Sequence, residues 1–229
     1  MKKPLLRPQN KIKRLQWAKQ HSSWTSREWQ RVLWSDESKF QIFGSNRRVF
    51  VRWRPGERGK IECIVPTVKH GGGSVMVWGC FGNNTIGDLK LIEGVLNKEG
   101  YKQILQENAL PSGSRLIGHN FVFQEDNDPK HSSKLCRGYL EENERQGVLS
   151  QMKWPPQSPD LNPIELLWDE LDRKVRESKP TSKGNLWELL QKSWNEISQE
   201  TLSKLTERMP RICRAVMKAK GGFFEENKI

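Results

Sequence analysis

The sequence has no long apolar run and few cysteines. No stretch approaches the roughly 18 consecutive apolar residues of a membrane-spanning helix, so we expect no integral membrane protein. Residues 1–7 also lack the apolar segment of a secretory signal. None of the four cysteines forms a Cys-x-x-Cys pair, which argues against a zinc ribbon and a disulfide scaffold. Sparse, unpaired cysteine is typical of proteins in the reducing cytosol or nucleus.

Positive charge is what the chain has in excess, and it is placed unevenly. The chain carries 39 Lys and Arg against 27 Asp and Glu, a net charge of +12. Residues 1–70 hold 17 of the basic side chains and only 5 of the acidic ones. A localised excess favours a polyanionic partner, most simply nucleic acid, over a solvated basic face that only aids solubility. Both interpretations stay open on composition alone.

The hydrophobic pattern predicts an α/β fold in which an antiparallel meander of strands precedes βαβ units. Period-two and β-branched segments predict strands at 32–43, 48–53, 74–81, 88–92, 121–124 and 148–154. Helical spacing predicts helices at 11–20, after the Thr25-x-x-Glu28 capping box, at 101–110, at 132–142, from Asn162-Pro163 onward, and one or two over 184–220. We therefore expect a mixed sheet flanked by helices.

Three carboxylates stand out by their positions relative to these elements. Asp36 lies in the first strand, Asp126 follows the strand 121–124 at a sheet edge, and Glu165 lies in the first turn of a helix. If the fold brings them together, they form an all-oxygen site that suits Mg²⁺ and phosphodiester chemistry. The structural alternatives are an outward-facing strand residue, a turn residue in Asp-Asn-Asp-Pro and a helix-capping Glu.

Basic residues near these acids are candidates for contacts with phosphate. Lys130 and His131 follow Asp126 closely, and His70 precedes Gly71-Gly72, where the absence of Cβ lets a DNA backbone approach. The alternatives are a solvated helix start for the first pair and a flexible hairpin turn for the second.

Four strings in the chain together resemble the Tc1-like branch of the Tc1/mariner transposases. They are VLWSDESKF at 32–40, KHGGGSVMVWGCF at 69–81, FQEDNDPKH at 123–131 and WPPQSPDLNPIELLW at 154–168. The last is the most specific, and the resemblance extends over about residues 1–220.

The resemblance implies an RNase H-like catalytic domain whose DDE triad is Asp36, Asp126 and Glu165. It implies cut-and-paste transposition in the nucleus, with Mg²⁺ or Mn²⁺, two ions per site, as cofactor. The implied partners are double-stranded DNA, both transposon ends and a TA target, and a second copy of the chain in a homodimer. A non-catalytic DNA-binding or assembly module derived from a transposase is the alternative, and a host nuclease of RNase H-like fold is a third reading.

The resemblance also predicts how the chain is divided. Residues 1–24 match a basic linker, 25–220 the catalytic domain and 221–229 a tail, while an Arg-rich clamp loop over about 44–65 contributes Arg52 and Arg54 as DNA contacts. Two features depart from the family pattern. The 38 residues between Asp126 and Glu165 exceed the usual Tc1-like interval, and the paired helix-turn-helix domains that recognise transposon ends have no counterpart in these 229 residues.

Overall fold

The fold is built around one mixed β-sheet. The computed structural model describes residues 5–42 and 73–224, and in this part of the chain five strands lie in the order β3-β2-β1-β4-β5. The strands are β1 (Val32–Gln41), β2 (Ser74–Gly82), β3 (Thr85–Ile92), β4 (Phe121–Phe123) and β5 (Leu149–Gln151). The first three pair antiparallel, and β4 and β5 continue parallel from β1. The predicted meander and mixed sheet are confirmed, while the strand predicted at 48–53 lies outside the described residues.

A tight turn makes the third strand longer than the sequence predicts. Asn83 and Asn84 both adopt positive φ, 48° and 55°, as the central residues of a two-residue hairpin between β2 and β3. Asn tolerates this conformation better than most residues. As a result β3 starts at Thr85 rather than at Asp88.

Helices cover both faces of this sheet. They are α1 (Pro8–His21), α2 (Ser26–Gln30), α3 (Lys98–Ile104), α4 (Leu110–Leu116), α5 (Lys134–Arg145), α6 (Ile164–Glu177), α7 (Lys183–Asn195), α8 (Gln199–Glu207) and α9 (Met209–Lys218). A π-helical turn, Leu105–Ala109, joins α3 to α4. The capping box of Thr25 and Glu28 at α2 is confirmed. None of the helices in the described ranges is long and apolar enough to cross a membrane.

Several helix boundaries differ from the prediction, and the helical segment predicted at 101–110 extends from Lys98 to Leu116. Residues 183–218 form three helices instead of one or two, because Ser198 caps α8 and Pro210 occupies the first turn of α9, where its missing N–H is tolerated. The helix that carries Glu165 begins at Ile164, so Pro163 takes the cap position predicted for Asn162.

The packing of α6 on the sheet determines where Glu165 lies. Trp168, on the same helix, packs directly over Gly79 of β2, where an added Cβ would lie 2.6 Å from the indole. Gly79 is also the residue opposite Asp36 in the β1–β2 ladder. The missing side chain at Gly79 thus lets α6 approach the sheet beside Asp36.

The first helix and the end of the last one pack together. The contact between α1 and α9 brings Arg14 against the carbonyls of Gly221 and Gly222. The division into segments 1–24, 25–220 and 221–229 stays a prediction, although α1 is packed onto the domain that it was predicted only to precede.

Candidate active site

The three carboxylates singled out from the sequence line one cavity. It has a volume of about 430 Å³, and Asp36, Asp126 and Glu165 all contribute to its lining. Asp36 comes from the middle of β1, Asp126 from the segment directly after β4, and Glu165 from the first turn of α6. The parallel pairing of β1 with β4 explains why two acids so far apart in the chain share this edge.

Asp36 lies in an electrostatically unfavourable position. Its burial raises the pKa of the carboxyl well above the usual range, and the charges of Glu165 and Glu37 raise it further. Asp126 adds a smaller contribution of the same sign. The acids are therefore close enough to repel one another, and a cation in the cavity would relieve this repulsion.

Asp126 is held by a buried histidine. Nδ1 of His131 lies 2.7 Å from Oδ1 of Asp126, and the backbone N–H of Asp128 donates to the same oxygen at 2.9 Å. Burial alone would raise the pKa of Asp126, but these contacts outweigh it and lower the pKa. Nε2 of His131 lies 3.0 Å from Glu37, and the Tyr101 ring stacks on the imidazole at 3.8 Å.

These contacts keep His131 charged. Burial by itself lowers the pKa of His131, but its contacts with Asp126 and Glu37 more than reverse this and raise the pKa to about 9. At neutral pH the ring is therefore an imidazolium placed between two carboxylates.

The structure places carboxylates beside Lys130 and His131, and their contacts with phosphate stay a prediction. Nζ of Lys130 lies 2.9 Å from Asp128 and 3.7 Å from Glu37. The His131 side chain is only 4% exposed. Adjacency to Asp126 in the sequence suggested contacts with phosphate, and the fold places Glu37 of β1 opposite both side chains. His70, Gly71, Gly72, Arg52, Arg54 and the clamp loop at 44–65 lie outside the described residues.

Sequence reasoning missed three buried polar residues behind the acids. Ser35, Gln124 and Asn162 precede Asp36, Asp126 and Glu165 by one to three positions and bond to one another across three elements. A signal for two of them was present: Ser35 follows Val-Leu-Trp and Gln124 follows Phe-Val-Phe, and a polar residue that continues an apolar strand needs a partner.

Most of the remaining wall of the cavity is the Pro-rich segment from Trp154 to Pro159, and Asn127, Asp128 and Asn162 complete the lining. A buried arginine fixes this segment. The Arg14 guanidinium donates to both carboxylate oxygens of Asp160 at 2.6 Å and to the Ser158 hydroxyl at 2.9 Å. One face of the cavity is thereby tied to α1.

The three acids share a cavity, but their carboxylates do not lie close enough together to coordinate one metal ion. Within residues 5–42 and 73–224, no three His, Cys, Asp or Glu side chains are grouped closely enough to hold a metal ion. The carboxylate of Asp126 is turned toward His131 instead.

Comparisons with known proteins agree on one family. The family model "DDE superfamily endonuclease" matches residues 31–202. The Tcb1 transposase of Caenorhabditis briggsae is 43% identical, and the Tc1 transposase of Caenorhabditis elegans 41%, each over 221 residues. Each alignment covers 96% of this chain and 80% of the relative.

The fold is that of a solved transposase domain. The catalytic domain of the Mos1 mariner transposase superposes with a TM-score of 0.74 at 16% identity, over 98% of this chain and all of that domain. A pre-cleavage Mos1 transpososome gives a TM-score of 0.81 at 17% identity, where the alignment covers 97% of this chain and 66% of the longer Mos1 chain. The chain therefore belongs to the DDE superfamily endonucleases and carries the RNase H-like catalytic domain of a Tc1-like transposase.

Proposed function

We propose that this domain cleaves DNA at transposon ends and joins the freed ends to target DNA at TA dinucleotides, with Asp36, Asp126 and Glu165 as its catalytic residues. The observation that carries the proposal is that these three acids, distant in the chain, line one cavity of about 430 Å³. The family membership supplies the reaction class, and the shared cavity supplies the residues.

The donor set fits a hard divalent cation. Every group proposed as a ligand is a carboxylate, and Mg²⁺ and Mn²⁺ prefer oxygen ligands. Solved Mos1 structures include one with Mg and one with Mn. Such ions, two per site in our proposal, activate a water or a 3′-hydroxyl and neutralise charge on the phosphate when they are bound.

The chain's own residues prepare the site for this chemistry. Because His131 lowers the pKa of Asp126, this carboxylate is anionic at neutral pH. Burial and, after it, repulsion by Glu165 and Glu37 raise the pKa of Asp36, and this repulsion favours uptake of positive charge between Asp36 and Glu165. The Pro-rich segment and the first turn of α6 line the cavity that would receive the DNA strand.

DNA, a second subunit and the compartment are further parts of the proposal. The Mos1 complexes contain a transposon end, and the net charge of +12 suits a polyanion. We assign DNA contacts to Arg52, Arg54, His70, Gly71 and Gly72 from the family motifs. A homodimer would bring two such cavities to two transposon ends, and the nucleus is where this substrate is found.

Nicking of a supercoiled plasmid tests the catalytic assignment. Wild type and Asp126→Asn are compared in Mn²⁺, in Mg²⁺ and in EDTA. We expect the variant to lose more than about 10²-fold in rate, since even residues that only support a ligand contribute 10–100-fold. Glu141→Gln, which removes an exposed carboxylate on α5, is the control and should nick as wild type does. Equal nicking by wild type and Asp126→Asn would refute the catalytic assignment.

A further inference from the structure

The pairing of β1 with β4 stops just before the two catalytic aspartates. The backbone N–H of Val122 donates to Arg31 at 2.9 Å, and that of Gln124 donates to Leu33 at 3.1 Å, as in a regular parallel ladder. The next bond of that ladder would run from the Ser35 N–H to the Gln124 carbonyl, and the one after it from the Asp126 N–H to the Ser35 carbonyl.

Side chains take the place of the first of these bonds. The Ser35 N–H donates to Oε1 of Gln124 at 3.1 Å, and the Ser35 hydroxyl donates to the Gln124 carbonyl at 2.8 Å. Both backbone groups of that bond thus have a partner, but the partner is a side chain of the opposite residue. The two strands are bridged by side chains at the point where a regular sheet would hold them about 4.8 Å apart.

A third side chain completes the arrangement from another element. Nδ2 of Asn162 donates to the Ser35 carbonyl at 3.2 Å, the position that the Asp126 N–H would occupy in a continued ladder. Oδ1 of the same Asn162 accepts from the N–H of Ile164 at 3.3 Å, in the first turn of α6. One amide therefore connects β1 beside Asp36 to the helix start beside Glu165.

We propose that Ser35, Gln124 and Asn162 are positioning residues that set the spacing of the three catalytic carboxylates, an inference that rests on the function proposed above. The three form one buried network, and each lies one to three residues before a different one of the three acids. The network splays β1 from β4 and so opens the cavity between Asp36 and Asp126. It also holds α6 at the height at which Glu165 reaches the same cavity.

The chemistry of the network favours this role over simple filling of the core. Buried side chains of these types are stabilising only when they are hydrogen-bonded, and apolar residues of the same size fill a core as well. Nε2 of Gln124 finds no hydrogen-bond partner among the described residues. The Gln124 side chain therefore contributes through its amide oxygen, which accepts the Ser35 N–H in place of a backbone carbonyl, while its amide nitrogen makes no hydrogen bond within the described residues.

The test compares Asn162→Leu and Ser35→Ala with a matched control, Thr206→Val. Thr206 is equally buried, and its hydroxyl donates to the Leu202 carbonyl within α8, away from the residues that line the cavity. Three quantities are measured for each variant: the melting temperature without metal, the binding of Mn²⁺ from the EPR signal of the free ion, and the rate of plasmid nicking against Mn²⁺ concentration.

We expect all three variants to melt below wild type, but only Asn162→Leu and Ser35→Ala to bind Mn²⁺ about 10–100-fold more weakly and to nick more slowly. Measured well below every melting temperature, Thr206→Val should keep wild-type values for both. Normal Mn²⁺ binding and nicking by folded Asn162→Leu and Ser35→Ala would overturn the inference while the loss of activity in Asp126→Asn still supported the catalytic assignment. If Asp126→Asn keeps its activity, the catalytic assignment fails first.

Discussion

At the scale of single residues, the site is defined by how its charges are compensated. His131 stands between Asp126 and Glu37 with its ring stacked on Tyr101, and its side chain is almost fully buried. A cation enclosed in this way compensates carboxylates that would otherwise repel each other at close range. The histidine thus contributes to the internal structure of the site.

Replacing this histidine should therefore destabilise the domain even without metal. His131→Leu keeps an apolar side chain against Tyr101 but leaves Asp126 and Glu37 without their shared imidazolium. We expect the free energy of unfolding, from urea titration in EDTA, to fall by about 1–3 kcal/mol, the cost of leaving the buried Glu37 carboxylate without its partner, because the Asp126 side chain is 51% exposed and solvent screens its charge. His119→Leu, at an exposed position, should change it by less than about 0.5 kcal/mol. A small effect of His131→Leu would mean that solvent already screens these carboxylates.

The acids themselves could be found from sequence, whereas their partners could not. Asp36, Asp126 and Glu165 each occupy a recognisable place relative to a strand or a helix, and family motifs mark them. The pairing of Lys130 and His131 with Glu37 depends on β1 lying beside β4, which is a long-range contact. Local pattern carries no information about which side chain the fold places across from them.

At the scale of elements, the approach of α6 to the sheet is set by one missing side chain. An added Cβ at Gly79 would lie 2.6 Å from Trp168 and 3.2 Å from Trp194, two indoles stacked at 5.4 Å. Rigid rings packed in this way have no free space to move into. The helix that carries Glu165 therefore depends on glycine at this strand position.

Gly79→Ala should displace α6 and affect both stability and catalysis. Overpacking of a filled core destabilises by about 1–3 kcal/mol, and we expect that loss in urea unfolding together with a reduced nicking rate. Gly138→Ala is the matched control, because a Cβ there meets nothing within 4 Å and the residue lies within α5. That variant should gain up to about 1 kcal/mol from the better helix propensity of alanine. A neutral Gly79→Ala would show that the indoles can shift without moving Glu165.

Periodicity located the elements but not their ends. The strands β1 and β2 and the capping box at α2 follow from the sequence because they depend on neighbouring residues. The start of α6 at Ile164 could not be predicted from neighbouring residues. There the Asn162 side chain bonds to the Ser35 carbonyl, and that contact joins residues 127 positions apart.

At the scale of the whole molecule, the two ends of the described chain meet behind the active-site wall. Arg14 of α1 donates to the carbonyls of Gly221 and Gly222 and to the carboxylate of Asp160. The fit is close, since a Cβ on Gly221 would collide with the backbone of Lys11. Part of the sequence predicted as a linker thus contributes to the structure of the catalytic domain.

The coupling of Arg14 to Asp160 is measurable by a double-mutant cycle. The side chain of Arg14 is fully buried and that of Asp160 is 4% exposed, so Arg14→Met leaves a buried carboxylate without its cation. We expect Arg14→Met to lower the free energy of unfolding by about 3–5 kcal/mol. The double variant Arg14→Met, Asp160→Leu should lose clearly less free energy of unfolding than the sum of the two single variants. The reason is that Asp160→Leu removes the buried charge that Arg14→Met leaves unpaired.

The exposed pair Arg173 and Glu177, 2.9 Å apart on α6, provides the comparison for this cycle. Its coupling should stay below about 0.5 kcal/mol, since solvent screens both groups. Strictly additive losses for Arg14 and Asp160 would mean that the arginine stabilises the fold through its other contacts, the glycine carbonyls and the Ser158 hydroxyl. In that case the ion pair with Asp160 would not be what ties the Pro-rich wall of the cavity to α1.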